Sequence, residues 1–170
     1  MTDGNTNMRI AVLASSFRTS TILMAELRAR SADVHIPTGD ISTEEEVAEF
    51  LARVGAEAAI VGREPITDAV LAKCPNLRVI SKYGVGLDNI DQAALQRRGI
   101  ALRHTPGTNK RAVSELVLGF LIGHFRNVIP SVYAMRLGEW IKSGGREVSS
   151  LTVGIVGYGN VGQDLAGLLR

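Results

Sequence analysis

The sequence predicts an α/β protein in which a parallel β-sheet is covered on both faces by helices. Two observations lead to this prediction. Short segments rich in Val, Ile and Ala alternate with segments of helical periodicity, each about ten residues long. Capping and turn residues separate these segments. Strands that alternate with helices form βαβ units, and five such strands before residue 104 predict a flavodoxin-like domain of strand order 2-1-3-4-5.

Local signals justify the elements of this domain in order. The cluster at 19–21 begins a helix, and either Ser42 with Glu45 or Thr43 with Glu46 can form a capping box for the next one. Gly99 ends the last helix of the domain. The predicted strands are 8–14, 34–36, 58–61, 77–82 and 100–103, and the predicted helices are about 20–30, 43–54, 67–73 and 91–98.

A strongly apolar helix is predicted from Arg111 to Asn127, after a crossing between domains at 105–109. Apolar residues cover nearly its whole circumference, which predicts burial all round, either in the core of one subunit or against a second subunit. Gly119 and Gly123, four residues apart, would let another helix approach closely. A further helix is predicted from Val132 to Lys142 and leads through 143–145 to the last segment.

The last twenty residues carry the clearest motif. Val153, Ile155 and Val156 predict a short buried strand, and the turn 157–162 has the spacing G-x-G-x-x-G before a new apolar helix. In such a turn Gly157 allows the sharp exit from the strand, Gly159 lets a pyrophosphate approach the backbone, and Gly162 lets helix and strand pack closely. The order of strand, turn and helix predicts dinucleotide binding by residues Gly157, Tyr158, Gly159, Asn160, Val161 and Gly162. The alternative is a tight βα turn that holds nothing.

The loop from Lys82 to Asp91 is the second candidate site, because it follows the carboxyl end of a predicted strand. Gly84 and Gly86 flank Val85 and could turn backbone N–H groups outward as a nest for a carboxylate. From composition alone, carboxylate binding and a plain turn are equally supported.

Composition excludes several classes of function. A net charge of +2 with interspersed signs gives no basic stripe for nucleic acid or a membrane surface. Residues 1–7 are polar and predict a flexible terminus rather than a signal peptide, and Cys74 as the only cysteine excludes an internal disulfide. We therefore expect a cytoplasmic protein, with no metal site.

Four blocks, in this order, resemble the D-isomer-specific 2-hydroxyacid dehydrogenases, and most closely their phosphoglycerate-dehydrogenase-like branch. The resemblance spans about residues 60 to 165 and would correspond to the N-terminal half of such an enzyme. The blocks are Lys82–Asp91, Gly99–Ile100 with Thr105–Asn109, Ala112–Leu116, and Gly138–Trp140 ahead of the glycine turn.

The resemblance implies roles for individual residues. Gly84, Val85 and Gly86 would hold the substrate carboxylate through backbone N–H groups in an interdomain cleft, with Lys82 as a basic residue that assists. Val85 would also lie against the nicotinamide of NAD, with NADP not excluded, and the turn 157–162 would cover the pyrophosphate. The helix Arg111–Asn127 would form a homodimer.

The same resemblance implies that catalysis needs residues outside this sequence. The family's catalytic arginine, its supporting acid and its histidine lie beyond the glycine turn, and His35, His104 and His124 do not match that histidine. The implied organisation is a substrate domain at 8–104, followed at 105–170 by a linker, a dimerisation helix and the start of a Rossmann domain. The expected function is oxidation of the CH–OH group of a D-2-hydroxy acid, with the 170-residue chain inactive alone; the alternative is a non-catalytic binding or dimerisation module.

Overall fold

The computed structural model describes residues 8–142 and 144–170 and divides the chain into two compact units, Met1–Thr105 and Pro106–Arg170. The prediction of a flexible terminus at 1–7 lies outside the described residues. So does the predicted connection at Ser143.

A five-stranded parallel sheet forms the centre of the first unit. Its order is β2-β1-β3-β4-β5, which confirms the predicted order 2-1-3-4-5. Ala59 on the central strand pairs with Ala11 on one side and Ile80 on the other, and all three are fully buried. The strands are β1 Ile10–Val12, β2 Val34–His35, β3 Ala58–Val61, β4 Val79–Lys82 and β5 Ala101–Arg103.

Three helices of this unit begin after a residue whose side chain caps the first turn. Ser20, Thr67 and Asp91 each accept a hydrogen bond from the backbone three residues later. Of the two possible capping boxes, the structure forms the one between Thr43 and Glu46. The sequence does not predict the short helix Ser15–Arg18. The helices are α1 Ser15–Arg18, α2 Thr21–Arg30, α3 Glu44–Val54, α4 Asp68–Ala72 and α5 Gln92–Arg97.

The core lies between the sheet and its helices. α3 buries the apolar side chains of Val47, Phe50 and Leu51 in this core, while Val54 is only partly buried. The fully buried large side chains come from strands, helices and the loop after β3; they include Leu13, Leu51, Val61, Ile66, Val70, Leu71, Ile80 and Leu95. This packing fixes the strand ends, from which the loops of the first unit project.

The second unit is helical: α6 Lys110–Phe125, α7 Val128–Arg136, a 3₁₀ turn at Val148–Ser150 and α8 Asn160–Leu168. The predicted helix Val132–Lys142 is wrong in its bounds. It begins earlier, because Asn127 adopts a left-handed conformation (φ 52°) that ends α6 and allows a new helix. It ends earlier as well, before Gly138 at φ 75°.

The predicted strand at 153–156 does not form among the described residues. A β-strand is stabilised by hydrogen bonds to a neighbouring strand, and the structure shows no such partner for this segment in residues 106–142 and 144–170. The side chain of Val156 is fully exposed as a result.

The described residues of this chain do not bury α6 on all sides, so of the two predicted ways of burial the one within a subunit does not occur among them, and burial against a second subunit stays a prediction. Phe120 is 67% exposed and Leu116 is 56% exposed, and Ser114 is the only buried residue of the helix. A core helix within one subunit is therefore not what the structure shows. No single described helix is long and apolar enough to cross a membrane; α6 and α7 meet that test only as a pair, bent by 61°.

Candidate functional site

A cleft of about 900 Å³ opens at the carboxyl ends of the strands of the first unit. Parallel strands end at the same edge of a sheet, so loops that are distant in sequence meet there. Lys82 at the end of β4 and residues 83–86 of the loop that follows line the cleft, together with Gly62 to Glu64 from the loop after β3. Ser15 and Ser16 follow β1 on the same edge.

The predicted residues Lys82, Gly84, Val85 and Gly86 all line this cleft. Gly84 has φ 136°, a conformation that favours glycine. In the described part of the chain, no protein group accepts a hydrogen bond from the backbone N–H of residues 84–86. The loop therefore offers backbone donors to a ligand with carboxylate oxygens.

The Lys82 ammonium is held by two oxygen acceptors. Its Nζ donates to the Gly62 carbonyl oxygen and, over 2.6 Å, to Oδ1 of Asn89. An ammonium has three N–H donors, so one remains for a ligand in the cleft. Asn89 in turn donates from Nδ2 to the Glu64 carbonyl oxygen over 2.6 Å.

Charges in the cleft are mixed rather than strongly basic. Partial burial lowers the pKa of Lys82, because burial disfavours the charged ammonium, and the nearby carboxylates of Asp88 and Glu64 offset only part of that effect. Arg63 adds a second cation to the lining. Binding of an anion in this cleft would therefore depend on directed N–H donors more than on net charge.

The glycine turn of the second unit fits the roles predicted for its three glycines. Gly157 has φ 91°, which suits the sharp turn. A Cβ on Gly159 would meet no atom within 4 Å, so its backbone can be approached closely. A Cβ on Gly162 would collide with the Gly157 carbonyl oxygen and lie 3.4 Å from Cγ2 of Ile155, so only glycine fits there.

α8 begins at Asn160, within this glycine motif and directly after Gly159. The first N–H groups of a helix lack partners within the helix, and the helix dipole favours an anion beside them. Asn160, Val161 and Gly162 occupy the first turn, while the Gln163 N–H bonds back to the Gly159 carbonyl oxygen. The turn and helix start thus fit the diphosphate of a dinucleotide.

Two contacts hold α8 against α6. The fully buried Ser114 donates from Oγ to the Val161 carbonyl oxygen over 3.3 Å. Arg111 donates from Nη2 to Oδ1 of Asp164 over 3.2 Å. Its Nε also lies 3.1 Å from Oδ2, an ionic contact without the alignment of a hydrogen bond. These contacts fix the start of α8.

Sequence reasoning missed several residues that line the cleft. Five of them are not proposed from the sequence as site residues: Asn89, Asp88, Glu64, Ser15 and Ser16. Asn89 and Asp88 nevertheless lie in the loop from Lys82 to Asp91, which the sequence predicts as a candidate site. The signal that could have found them is topological: β3 lies between β1 and β4 in the parallel sheet, so the carboxyl ends of these three strands share one edge. The described residues contain no cluster of three or more His, Cys, Asp or Glu side chains suited to a metal.

Comparison with known proteins identifies the family. The profile described as "D-isomer specific 2-hydroxyacid dehydrogenase, catalytic domain" matches residues 11–163. The chain belongs to this family. A solved structure described as a D-isomer specific 2-hydroxyacid dehydrogenase shares the α/β fold of this chain.

Three similar proteins illustrate the relationship. Glyoxylate/hydroxypyruvate reductase B of Citrobacter koseri is 34% identical over 149 residues, which is 85% of this chain and 45% of that protein. A Polaromonas sp. JS6 66 protein described as an NAD-binding D-isomer specific 2-hydroxyacid dehydrogenase has a TM-score of 0.81 at 29% identity, covering 96% of this chain and 52% of that one. A phosphoglycerate oxidoreductase of Vibrio cholerae o395 has a TM-score of 0.68 at 30% identity, covering 95% and 52%.

The chain spans less than half of the length of the first five curated relatives that it matches, between 34% and 46%.

Proposed function

We propose that this chain supplies the substrate-carboxylate site and the first part of the cofactor site of an NAD(P)-dependent D-2-hydroxyacid dehydrogenase. The enzyme would interconvert a D-2-hydroxy acid and the 2-keto acid. The observation that carries the proposal is the loop at 84–86, whose N–H groups have no acceptor in the described protein and lie in one cleft with the Lys82 ammonium.

The proposed carboxylate site consists of the N–H groups of Val85 and Gly86 together with Lys82. Hydrogen bonds from charged or backbone donors to a carboxylate are directional, so they fix the orientation of a small acid as well as its affinity. The positive φ of Gly84 places the next peptide groups in a conformation that other residues rarely adopt. The backbone of the loop would thereby be preorganised for carboxylate binding.

The proposed cofactor site is the turn from Gly157 to Gly162 with the first turn of α8. Asn160 and Val161 would offer their N–H groups to the diphosphate, and the open space beside Gly159 would admit it. Val85 would contact the nicotinamide. NAD(P) would supply hydride chemistry at C4 of the nicotinamide.

The substrate class rests on the relatives. Several are named glyoxylate/hydroxypyruvate reductases, and the Vibrio neighbour is named a phosphoglycerate oxidoreductase. We propose glyoxylate or hydroxypyruvate as the first compounds to test, with phosphoglycerate as the second, since the resemblance to the phosphoglycerate-dehydrogenase-like branch rests on sequence blocks. The resemblance implies that the family's catalytic arginine, acid and histidine do not match residues of this sequence, so we expect no turnover by the 170-residue chain alone.

We also propose that α6 mediates a homodimer, as expected for residues Arg111 to Asn127. Phe120, Leu116 and Ile122 expose their apolar side chains on this helix. A Cβ on Gly119 or Gly123 would meet no atom within 4 Å, which leaves room for a second helix. The same surface supports the alternative of a non-catalytic dimerisation module.

The test is a calorimetric and NMR titration of the 170-residue chain with a panel of small acids. We expect glyoxylate and hydroxypyruvate to bind with Kd values of roughly a millimolar, as suits a few hydrogen bonds, and acetate to bind more weakly. Equal binding of acetate and the 2-keto acids, or no binding of any acid, would contradict the proposed substrate class.

A further inference from the structure

Asn89 connects the ends of two neighbouring strands at the proposed carboxylate site. Its Oδ1 accepts from Lys82 Nζ over 2.6 Å, and its Nδ2 donates to the carbonyl oxygens of Glu64 over 2.6 Å and Gly62 over 3.3 Å. We propose that Asn89 is a positioning residue, which orients the Lys82 ammonium so that its uncommitted N–H is offered to the carboxylate of the ligand. The identity of that ligand rests on the proposed function.

The chemistry of the partners fixes the orientation of the Asn89 amide. An ammonium only donates hydrogen bonds and a carbonyl oxygen only accepts them. The side-chain oxygen of Asn89 must therefore face Lys82, and its NH₂ group must face the carbonyl oxygens of Gly62 and Glu64. Rotating the amide by 180° would set donor against donor and acceptor against acceptor.

The backbone of Asn89 is itself held in place. Its carbonyl oxygen accepts from the N–H of Ile66 over 2.8 Å, and the carbonyl oxygen of Ile66 accepts from the N–H of Asp91 over 2.8 Å. Ile66 is fully buried, and Ile90 between the two bonded residues is 6% exposed. These two bonds flank Ile90, so the peptide group that follows Asn89 is attached to the buried Ile66, which restrains the position of the Asn89 side chain.

The ammonium of Lys82 keeps one orientation only if other groups hold it, because a lysine side chain has four rotatable bonds and loses much conformational freedom when it is ordered. Two of its three donors are taken by Gly62 and Asn89, which leaves one direction for the third. Glu64 from the β3 loop and Asp88 from its own loop are the carboxylates that act on it, and Arg63 and Asp40 also line the cleft. Without Asn89, the ammonium would keep one fixed acceptor, the Gly62 carbonyl oxygen, and its other N–H groups would have no set direction toward a ligand.

The first test compares Asn89→Ala with Asn89→Asp in the 170-residue chain, with the titration of Lys82 followed by NMR and without any ligand. Asn89→Ala removes an acceptor of the ammonium, so the pKa of Lys82 should fall further. Asn89→Asp keeps an acceptor and adds a negative charge, so the pKa should rise. A residue that only ties the two loops together would leave the pKa of Lys82 unchanged in both variants, and that result overturns the proposal. Asn76→Ala, at an exposed turn, is the matched control.

The second test is a double-mutant cycle on glyoxylate affinity, with the stability of each variant measured by urea unfolding. Asn89→Ala should weaken binding about tenfold, the loss expected for one charge-assisted hydrogen bond to a ligand. In the Lys82→Met background the same change should have little effect, since its action passes through Lys82. Equal losses in both backgrounds overturn the proposal. Absence of glyoxylate binding by the unmutated chain would refute the proposed ligand, whereas the Lys82 titration would still decide the role of Asn89.

Discussion

Replacing Gly84 with alanine tests the conformation on which the carboxylate site depends. A Cβ at this position would approach only Cε of Lys82, at an ordinary 3.5 Å, so crowding is not the issue. The cost comes from φ 136°, which a residue with a Cβ rarely adopts. Backbone strain of this kind costs roughly 1–3 kcal/mol, and each kcal/mol lowers the Tm of a domain of about 100 residues by roughly 4–8 °C.

The assay is urea unfolding of the 170-residue chain, followed through the amide signal of the buried Ile80 in β4. Gly84→Ala should lower the midpoint and weaken glyoxylate binding, because the loop has to relax to another conformation. Gly99→Ala is the matched control: Gly99 has φ 68° and open space around it, but it lies outside the cleft. It should lose stability and keep its glyoxylate affinity. Unchanged stability and affinity in Gly84→Ala would refute the strained loop.

Four further expectations follow from single contacts. Thr43→Ala removes the cap of α3 and should cost about 1 kcal/mol in urea unfolding; an unchanged midpoint would show that the capping box contributes nothing. Gly162→Ala should lower the hydrogen-exchange protection of α8, because the new Cβ meets the Gly157 carbonyl oxygen. Gly159→Ala should keep that protection and lose NADH binding. Equal protection of α8 in both variants would contradict the close packing of Gly162 against Gly157. Glyoxylate affinity should be retained while Lys82 is protonated and should fall as the pH rises through its lowered pKa, before an ordinary lysine titrates; a flat profile up to the range of free lysine argues against its role. Phe120→Glu should shift a dimer to a monomer in light scattering, and a monomer before substitution would contradict the proposed homodimer.

The first unit could be predicted from the sequence because its signals are local. Ser20, in the predicted starting cluster, and Thr43, in one of the two predicted capping boxes, cap their helices, and the alternation of strands and helices predicts the order of the sheet. α1 escaped prediction, since Ser15–Arg18 has four residues and no side-chain cap. A helix this short has almost no periodicity to detect.

The second unit could be predicted only in part, because its outcome depends on partners outside the local sequence. The segment 153–156 has the composition of a buried strand, but a strand requires a neighbour to bond with, and the described residues provide none. The apolar composition of α6 predicts burial, but the actual burial of a helix depends on which other elements or subunits pack against it. Its end at Asn127 depends on a left-handed conformation that asparagine adopts more readily than most residues, though not with enough regularity to predict.

The candidate site shows the same division. The glycines at 84–86 and 157–162 are visible in the sequence because glycine has specific conformational uses. The hydrogen bonds of Lys82 to Gly62 and Asn89 are not visible in the sequence, because their partners are not local. Gly62 is 20 residues away from Lys82 along the chain, and Asn89 is seven residues away. Only the register of β3 against β4, which pairs Val61 with Lys82, brings them together.

The most direct test is an amide-resolved NMR titration of the 170-residue chain with glyoxylate and, separately, with NADH at millimolar concentration. Glyoxylate should move the amide signals of Val85 and Gly86, and NADH should move those of Asn160 and Val161, each by weak binding at its own loop. If either compound leaves its pair of amides unmoved while shifting signals elsewhere, these backbone groups are not the anion-binding elements of a dehydrogenase.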